Sequence, residues 1–345
     1  MRRLDQDLRE KDYSGEGETE IKKRRPRKTI GEEGSRKQTL IVLAITIGLG
    51  LFFYLPTQFK LIKFNWLPKL NFGGSEVITI EKTKTESSPP AEIKTIKTTK
   101  EETLNLIKNL LADKAGDWAI YAEDVKKKEN IKINQDEVME AASVIKLPVL
   151  TAYYKAVDEK KIDPAKIYSM QDRDRLIYGT GSLQGQPTGA EFSYQQIADL
   201  VGKESDNMGA QLLINFLGGA GVVQKTVNGW GLQNTLINDD KSTVKDMANL
   251  WGQIYAGKLL KAASKQKLLE SLTDTILETR ITAGVPGGIK VRHKFGSEIG
   301  TVNDCGVVEA TNPYVICIFS NNANDGEAET LMPQISQAVW KWLGK

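Results

Sequence analysis

The sequence predicts an α+β domain over residues 101–345, with one transmembrane helix in front of it. An antiparallel sheet is assembled from both ends of the domain, flanked by helices, and encloses an inserted all-α part. Three observations carry this expectation. Residues 117–122 near the start, and 288–296, 300–310 and 313–320 near the end, are short β-rich segments split by turn residues. Residues 160–260 between them read as mostly helical, with long loops. Finally, no residue from 38 to 59 is charged.

Composition bounds the possibilities. Of 345 residues 26% are charged and 40% hydrophobic, which suits a soluble globule over most of the length. The net charge of +3, without an aromatic-studded basic surface, argues against nucleic acid as a partner. Two cysteines and one histidine are too few for a Cys/His zinc site. No metal or cofactor is therefore expected, and a Ser-His-Asp triad would have to use His293.

Residues 1–38 are mostly charged, lack an apolar face and read as a disordered tail. Residues 22–28 form a basic run that would suit nucleic acid or nuclear targeting, but an uncharged stretch follows it. Residues 39–55, almost wholly apolar, would span about 25 Å as a helix, close to a bilayer core. A cleaved signal peptide would have a shorter basic region and a small-residue cleavage site. A buried core helix would carry some polar face. Residues 39–59 therefore read as a single membrane span. Lys and Arg crowd residues 22–37, which puts the N-terminus in the cytoplasm and the rest outside. Residues 60–100 mix Lys, Thr, Glu and Ser around Ser87-Ser88-Pro89-Pro90 and read as a linker.

Within the domain, residues 103–111 have helical period, and residues 192–200, 207–216 and 244–255 are expected helices. Residues 179–189 are a Gly-rich loop. The last helix, 327–343, carries Leu331, Ile335, Val339 and Leu343 at four-residue spacing. Cys305 and Cys317 flank an expected hairpin turn at Thr311-Asn312, so symmetric pairing puts them nearly opposite. An oxidising compartment permits a disulfide; two buried free thiols are the other reading.

The stretch 141–150 organises the chemistry. If it opens a helix, Ser143 and Lys146 lie one turn apart on the same face. The lysine amine can then take the proton that keeps a serine hydroxyl a weak nucleophile. The pattern is cheap by itself, since Ser-x-x-Lys recurs at Ser242–Lys245 and Ser264–Lys267. Two further elements follow in order: Ser205-Asp206-Asn207 at a helix start and Lys294-Phe295-Gly296 on a late β segment. Alone, the first would be an N-cap cluster and the second would carry nothing.

Together, Ser143-x-x-Lys146, Ser205-Asp206-Asn207 and Lys294-Phe295-Gly296 resemble the motif set of class A β-lactamase-like serine hydrolases and penicillin-binding proteins. The likeness extends through Gly179-Thr180-Gly181-Ser182-Leu183, residues 205–213, 242–247 and 280–296. It implies Ser143 as nucleophile, Lys146 as general base, Ser205 as proton shuttle and Lys294 as an electrostatic group that also depresses the Lys146 pKa. It further implies substrate contacts from Asn207, Phe295 and Gly296, and an oxyanion hole from the Ser143 and Ser297 backbone N–H groups. His293 reads as a structural strand residue beside the site. Asp304 either pairs with a cation or is solvated, and Arg280 matches a family position or steadies the loop before Pro286.

Two departures stand out. Phe295 occupies the place of a Thr or Ser whose hydroxyl would bind a substrate carboxylate. No Glu occurs between Ser205 and Glu270, so the family's deacylating Glu-x-x-Leu-Asn motif is missing. Asp246 reads as a helix-dipole residue, and Asp239 and Asp240 as remnants of a shortened loop rather than substitute bases. The expectation is a membrane-anchored extracytoplasmic serine hydrolase forming an acyl-enzyme with β-lactam or cell-wall-peptide-like amides and esters, and deacylating weakly. A D-Ala-D-Ala carboxypeptidase-like enzyme and a non-catalytic wall-binding protein on the same fold are the alternatives.

Overall fold

The computed structural model describes residues 97–344. The expected tail, membrane span and most of the linker lie outside the described residues. Among those described, no helix is long and apolar enough to cross a membrane.

The chain enters through α1 (Lys100–Leu111) and two strands, β1 (Asp117–Asp124) and β2 (Asn130–Ile133). Thr99 caps α1 by accepting from Glu102 N at 3.2 Å, while the Glu102 carboxylate accepts from Thr99 N at 2.7 Å, closing a capping box. After β3 (Met139–Glu140), a 3₁₀ turn (Ala142–Ile145) leads into α2 (Lys146–Asp158). The helical insertion follows: the ribbon β4 (Ile167–Ser169) with β5 (Glu191–Ser193), then α3 (Tyr194–Lys203), α4 (Asn207–Phe216) and α5 (Ala220–Gly229). Next come β6 (Lys241–Ser242), α6 (Val244–Tyr255) and α7 (Ala262–Ser271). The chain closes with β7 (Val291–Glu298), β8 (Thr301–Val308), β9 (Tyr314–Asn321) and α8 (Asp325–Leu343).

The five-stranded sheet is antiparallel in the order β2-β1-β9-β8-β7, so the last strand sits at the centre beside the first. Its composition explains that place. Seven of the eight residues of β9 are buried, which requires cover on both faces of the sheet. Trp118, Ile120, Ile316 and Ile318 pack with Leu331, Ile335 and Val339 of α8 on one face. On the other face, Ala119, Tyr121, Val307 and Phe319 pack against the insertion, with Trp251 of α6 at its heart. Trp251 is fully buried and donates its indole N–H to the Cys305 carbonyl at 3.0 Å. Truncating such a side chain to alanine typically costs about 3–5 kcal/mol.

The β8–β9 register places Cys305 opposite Cys317, with Cα atoms 3.9 Å apart and the sulfurs joined as a disulfide. Of the two readings left open by the sequence, the structure holds the bonded one.

β7 forms one edge of the sheet, and β3 leads into the 3₁₀ turn that packs against it. Gly296 makes that approach possible. A Cβ there would lie 2.7 Å from Ser143 N, 2.8 Å from Ala141 O and 2.9 Å from Val144 N. The cleft therefore forms where the sheet edge meets the insertion.

Candidate active site

Ser143 sits within the 3₁₀ turn rather than in the α-helix expected from the sequence, and Lys146 is the first residue of α2. The geometry of the pair is kept, with Lys146 Nζ 2.9 Å from Ser143 Oγ. The same amine donates to Ser205 O at 2.5 Å, contacts Ser205 Oγ at 3.2 Å and donates to Asn207 Oδ1. On the far side of Ser205, Lys294 Nζ lies 2.9 Å from its Oγ and 2.8 Å from Phe295 O. One hydroxyl thus bridges two lysines, and a continuous polar chain runs from Ser143 to the sheet edge.

Ser205 reaches both lysines because its backbone is left-handed, with φ of 59°. Such a conformation typically costs a non-glycine residue about 1–2 kcal/mol. Asp206 anchors the segment. As N-cap of α4 it accepts from Gly209 N at 2.7 Å, and it also accepts from Leu183 N at 2.9 Å. Gly181 lies so close that a Cβ there would stand 2.1 Å from Asp206 Oδ2. That approach sets Thr180 Oγ1 3.0 Å from Ser205 O and 3.3 Å from Asn207 Oδ1. With its oxygen accepting from Lys146 and Thr180, the Asn207 amide nitrogen is left for a ligand.

Burial sets the lysine electrostatics. Removal from water lowers the Lys146 pKa to about 8, while the Asp206, Asp240 and Glu298 carboxylates oppose the drop. Lys294, fully buried, is driven well below its ordinary value by burial and then by repulsion from Lys146. The sequence assigned Lys294 the task of depressing Lys146. Burial is the largest cause of the Lys146 shift, and the repulsion between the two buried amines is mutual.

The floor of β7 is braced from beneath. His293 is fully buried between Asp304, 2.8 Å from Nδ1, and Glu278, 3.2 Å from Nε2. Burial pulls its pKa down, but the two carboxylates outweigh this and raise it to about 9. Burial likewise pushes the Glu278 carboxyl up, and the hydrogen bond and charge of His293 bring it down to about 2. Asp304 is therefore paired rather than solvated, and His293 is held away from Ser143 as a brace. Arg280, 1% exposed, donates to Gly296 O at 2.9 Å, Asn303 O at 2.8 Å and Ser297 Oγ at 2.6 Å, and it also pairs with Glu329. Arg280 thus clamps the strand carrying Gly296 and Ser297. Asp246 is buried and accepts from Asn234 N and Thr235 Oγ1, tying the loop before β6 to α6 in addition to facing the helix start.

The cleft over the nucleophile encloses about 550 Å³. Ser143, Lys146, Asn207, Tyr178, Ile299, Glu140, Asp240 and Glu298 are among its walls. Phe295 is not. It is 7% exposed, with its ring centroid 4.1 Å from Lys294 Nζ, so a cation–π contact fills the place of the missing hydroxyl. Thr180, Glu140 and Glu298 were not singled out from the sequence. Thr180 lay within the stretch Gly179–Leu183 that shares the family likeness, without a role of its own, and the carboxylates gave no signal beyond proximity to Ser143 and Ser297.

The β-lactamase enzyme family matches residues 103–343. The β-lactamase VEB-1 of Pseudomonas aeruginosa is 23% identical over 68% of this chain and 88% of its own length. A β-lactamase of Streptomyces albus G is 24% identical over 65% and 79%. Among solved structures, PBP-A superposes with a TM-score of 0.66 at 28% identity, covering 71% of this chain and 97% of that one. A mutant of PBP-A captured as an acyl-enzyme complex with penicillin G matches equally well. The extended-spectrum β-lactamase TLA-1 shares the fold, with a TM-score of 0.67 at 19% identity. On the match through 103–343, this chain belongs to the β-lactamase enzyme family and is a class A-like serine hydrolase.

Proposed function

We infer that the protein forms an acyl-enzyme on Ser143 with β-lactam or cell-wall-peptide-like amides and esters, and releases it slowly. One observation carries this reading: a Ser143–Lys146 contact of 2.9 Å in a chain without a Glu between Ser205 and Glu270. Lys146, depressed to about 8, is neutral in roughly one molecule in ten at pH 7 and takes the Ser143 proton. Ser205 passes a proton to the leaving group, Lys294 supplies the charge that favours this transfer, and Asn207 orients the substrate amide. The Ser143 and Ser297 N–H groups stabilise the tetrahedral oxyanion, typically by about 3–4 kcal/mol per donor.

Deacylation needs a carboxylate held over the acyl carbonyl to activate water. Asp239 is exposed and does not line the cleft, whereas Asp240 does. Among the described residues no hydrogen bond positions the Asp240 carboxylate, and an unanchored group is a poor base. The absence of general-base help typically slows such a step by about 10²–10⁴-fold. The acyl-enzyme of the PBP-A mutant with penicillin G supports the same chemistry on a related scaffold. In this reading residues 39–59 anchor the domain outside the cytoplasmic membrane, where cell-wall peptide is found.

The test follows intact mass over time after a short pulse of penicillin G or of an activated ester. A single adduct persisting for many minutes, unchanged in Asp240→Asn, is expected. Rapid multiple turnover, or a much longer-lived adduct in Asp240→Asn, would make Asp240 the water-activating base. Protease added to spheroplasts should release the domain by cutting within residues 60–100; resistance of intact spheroplasts places the domain inside.

A further inference from the structure

Two groups in the site would ordinarily attract an anionic substrate, and both are occupied. The Lys294 amine is fully buried and spent on Ser205 Oγ, Phe295 O and the Phe295 ring. The Arg280 guanidinium is given to backbone carbonyls, Ser297 Oγ and Glu329. The accessible charge on the cleft wall has the opposite sign. Glu140, Asp240 and Glu298 line the same cavity as Ser143, and none of the three joins an ion pair among the described residues. They sense one another: burial and then the charges of its neighbours raise the Glu140 and Asp240 pKa values, with Lys146 and Lys241 as the nearby opposing cations.

The location of these carboxylates relative to the reacting atoms follows from the strand. Ser205, the proton donor to the leaving group, contacts Lys294 at one point of β7. Glu298 is four residues further along, about 13 Å at the ordinary strand rise. The leaving group therefore lies toward Ser205, and the acyl portion runs the other way, past Ser297 toward Glu298 and Asp240. Ile299, 99% exposed, lines the cavity beside Glu298 and offers an apolar contact there.

We propose that Glu298, Asp240 and Glu140 determine specificity for substrates whose acyl portion carries an ammonium group on an aliphatic stem, such as a basic peptide residue next to the scissile bond. An aliphatic stem covers Ile299 while the charge meets the carboxylates. A cleft whose exposed charges are negative also raises the local concentration of oppositely charged substrate. The inference rests on the acyl-enzyme reading above and adds the substrate class to it.

The experiment compares the p-nitrophenyl esters of Nα-acetyl-lysine, Nα-acetyl-norleucine and Nα-acetyl-glutamate, which share one leaving group and differ in the side chain, cationic, neutral or anionic. The second-order rate of nitrophenolate release with the full-length protein is the readout, with adduct mass as a check. The lysine ester should react at least about fivefold faster than the glutamate ester at low ionic strength, the size expected from one modest charge contact. The ratio should shrink with added salt and fall toward one in Glu298→Gln and in Asp240→Asn. Because these substitutions also alter the field at Lys146, the ratio and not the absolute rate is decisive. Equal or reversed reactivity of the three esters with an adduct on Ser143 overturns this inference alone. Failure of all three esters to acylate Ser143 overturns the hydrolase reading beneath it.

Discussion

Replacing Gly296 with alanine adds one methyl group against the turn that carries the nucleophile. Its Cβ would meet Ser143 N at 2.7 Å, Ala141 O at 2.8 Å and Val144 N at 2.9 Å, whereas ordinary contact begins near 3.4 Å. The neighbours are backbone atoms, so no side chain can rotate away. β7 cannot retreat easily either: β8 pairs along its length, and Arg280 holds the Gly296 carbonyl at 2.9 Å. The 3₁₀ turn must therefore move away by about 0.5–0.7 Å, widening the gap between the Ser143 and Ser297 N–H groups. A misplacement of about 1 Å can cost about 10²-fold in rate, so a loss of about tenfold or more is expected here, and overpacking costs about 1–3 kcal/mol of stability. For a domain of this size that lowers Tm by about 3–10 °C. The assay pairs the acylation rate with an activated ester and a thermal melt followed by circular dichroism. Acylation of Gly296→Ala within threefold of wild type would refute the claim that close contact of β7 with the turn builds the oxyanion hole.

Three further outcomes follow from the same geometry. Acylation should rise with pH and level off above pH 8, because Lys146 must be neutral to accept the Ser143 proton and burial brings its pKa to about 8; stopped-flow rates from pH 6 to 9.5 that stay flat would contradict its role as base. His293 carries a pKa raised to about 9, so its contribution is fully present below about pH 6.5 and is lost as pH rises through 9, about 2 kcal/mol of it by pH 8. Urea melts of wild type and His293→Gln should converge over pH 6.5–8, a window chosen because Lys146, depressed to about 8, adds the opposite slope above it; parallel curves would refute a charged His293. Thiol titration of denatured, unreduced protein should find no free thiol if Cys305 and Cys317 are joined; two thiols would restore the free pair.

Much of this arrangement is legible in the sequence, for local reasons. The run Tyr314–Asn321 is too apolar for a strand with a wet face, and helical residues separate it from the early strand it joins. A turn at Thr311-Asn312 is enough to set Cys305 against Cys317. The Ser143, Lys146, Ser205, Asn207 and Lys294 motifs stand out by order, and the structure brings them into hydrogen-bonding reach. What stayed hidden depends on contacts distant in sequence. β3 and β6 have two residues each, too short for any period, yet they bring Asp240 to the cleft beside Glu140. The partner of Asp304 is eleven residues away across β7 and β8 and becomes visible only with the register. Phe295 reads as a lost hydroxyl until its ring is placed against the Lys294 amine. The source of the Lys146 shift is burial, which no motif encodes.

The chemistry rests on Ser143 as nucleophile and Lys146 as its base. Peptide mapping by mass spectrometry after a brief exposure to penicillin G or to an activated ester tests it most directly. One acyl group is expected on the peptide containing Ser143, none in Ser143→Ala, and formation slowed about 10²–10⁴-fold in Lys146→Ala, the usual cost of losing a general base. A modification mapping to another residue, or forming at an undiminished rate in Ser143→Ala, would contradict it.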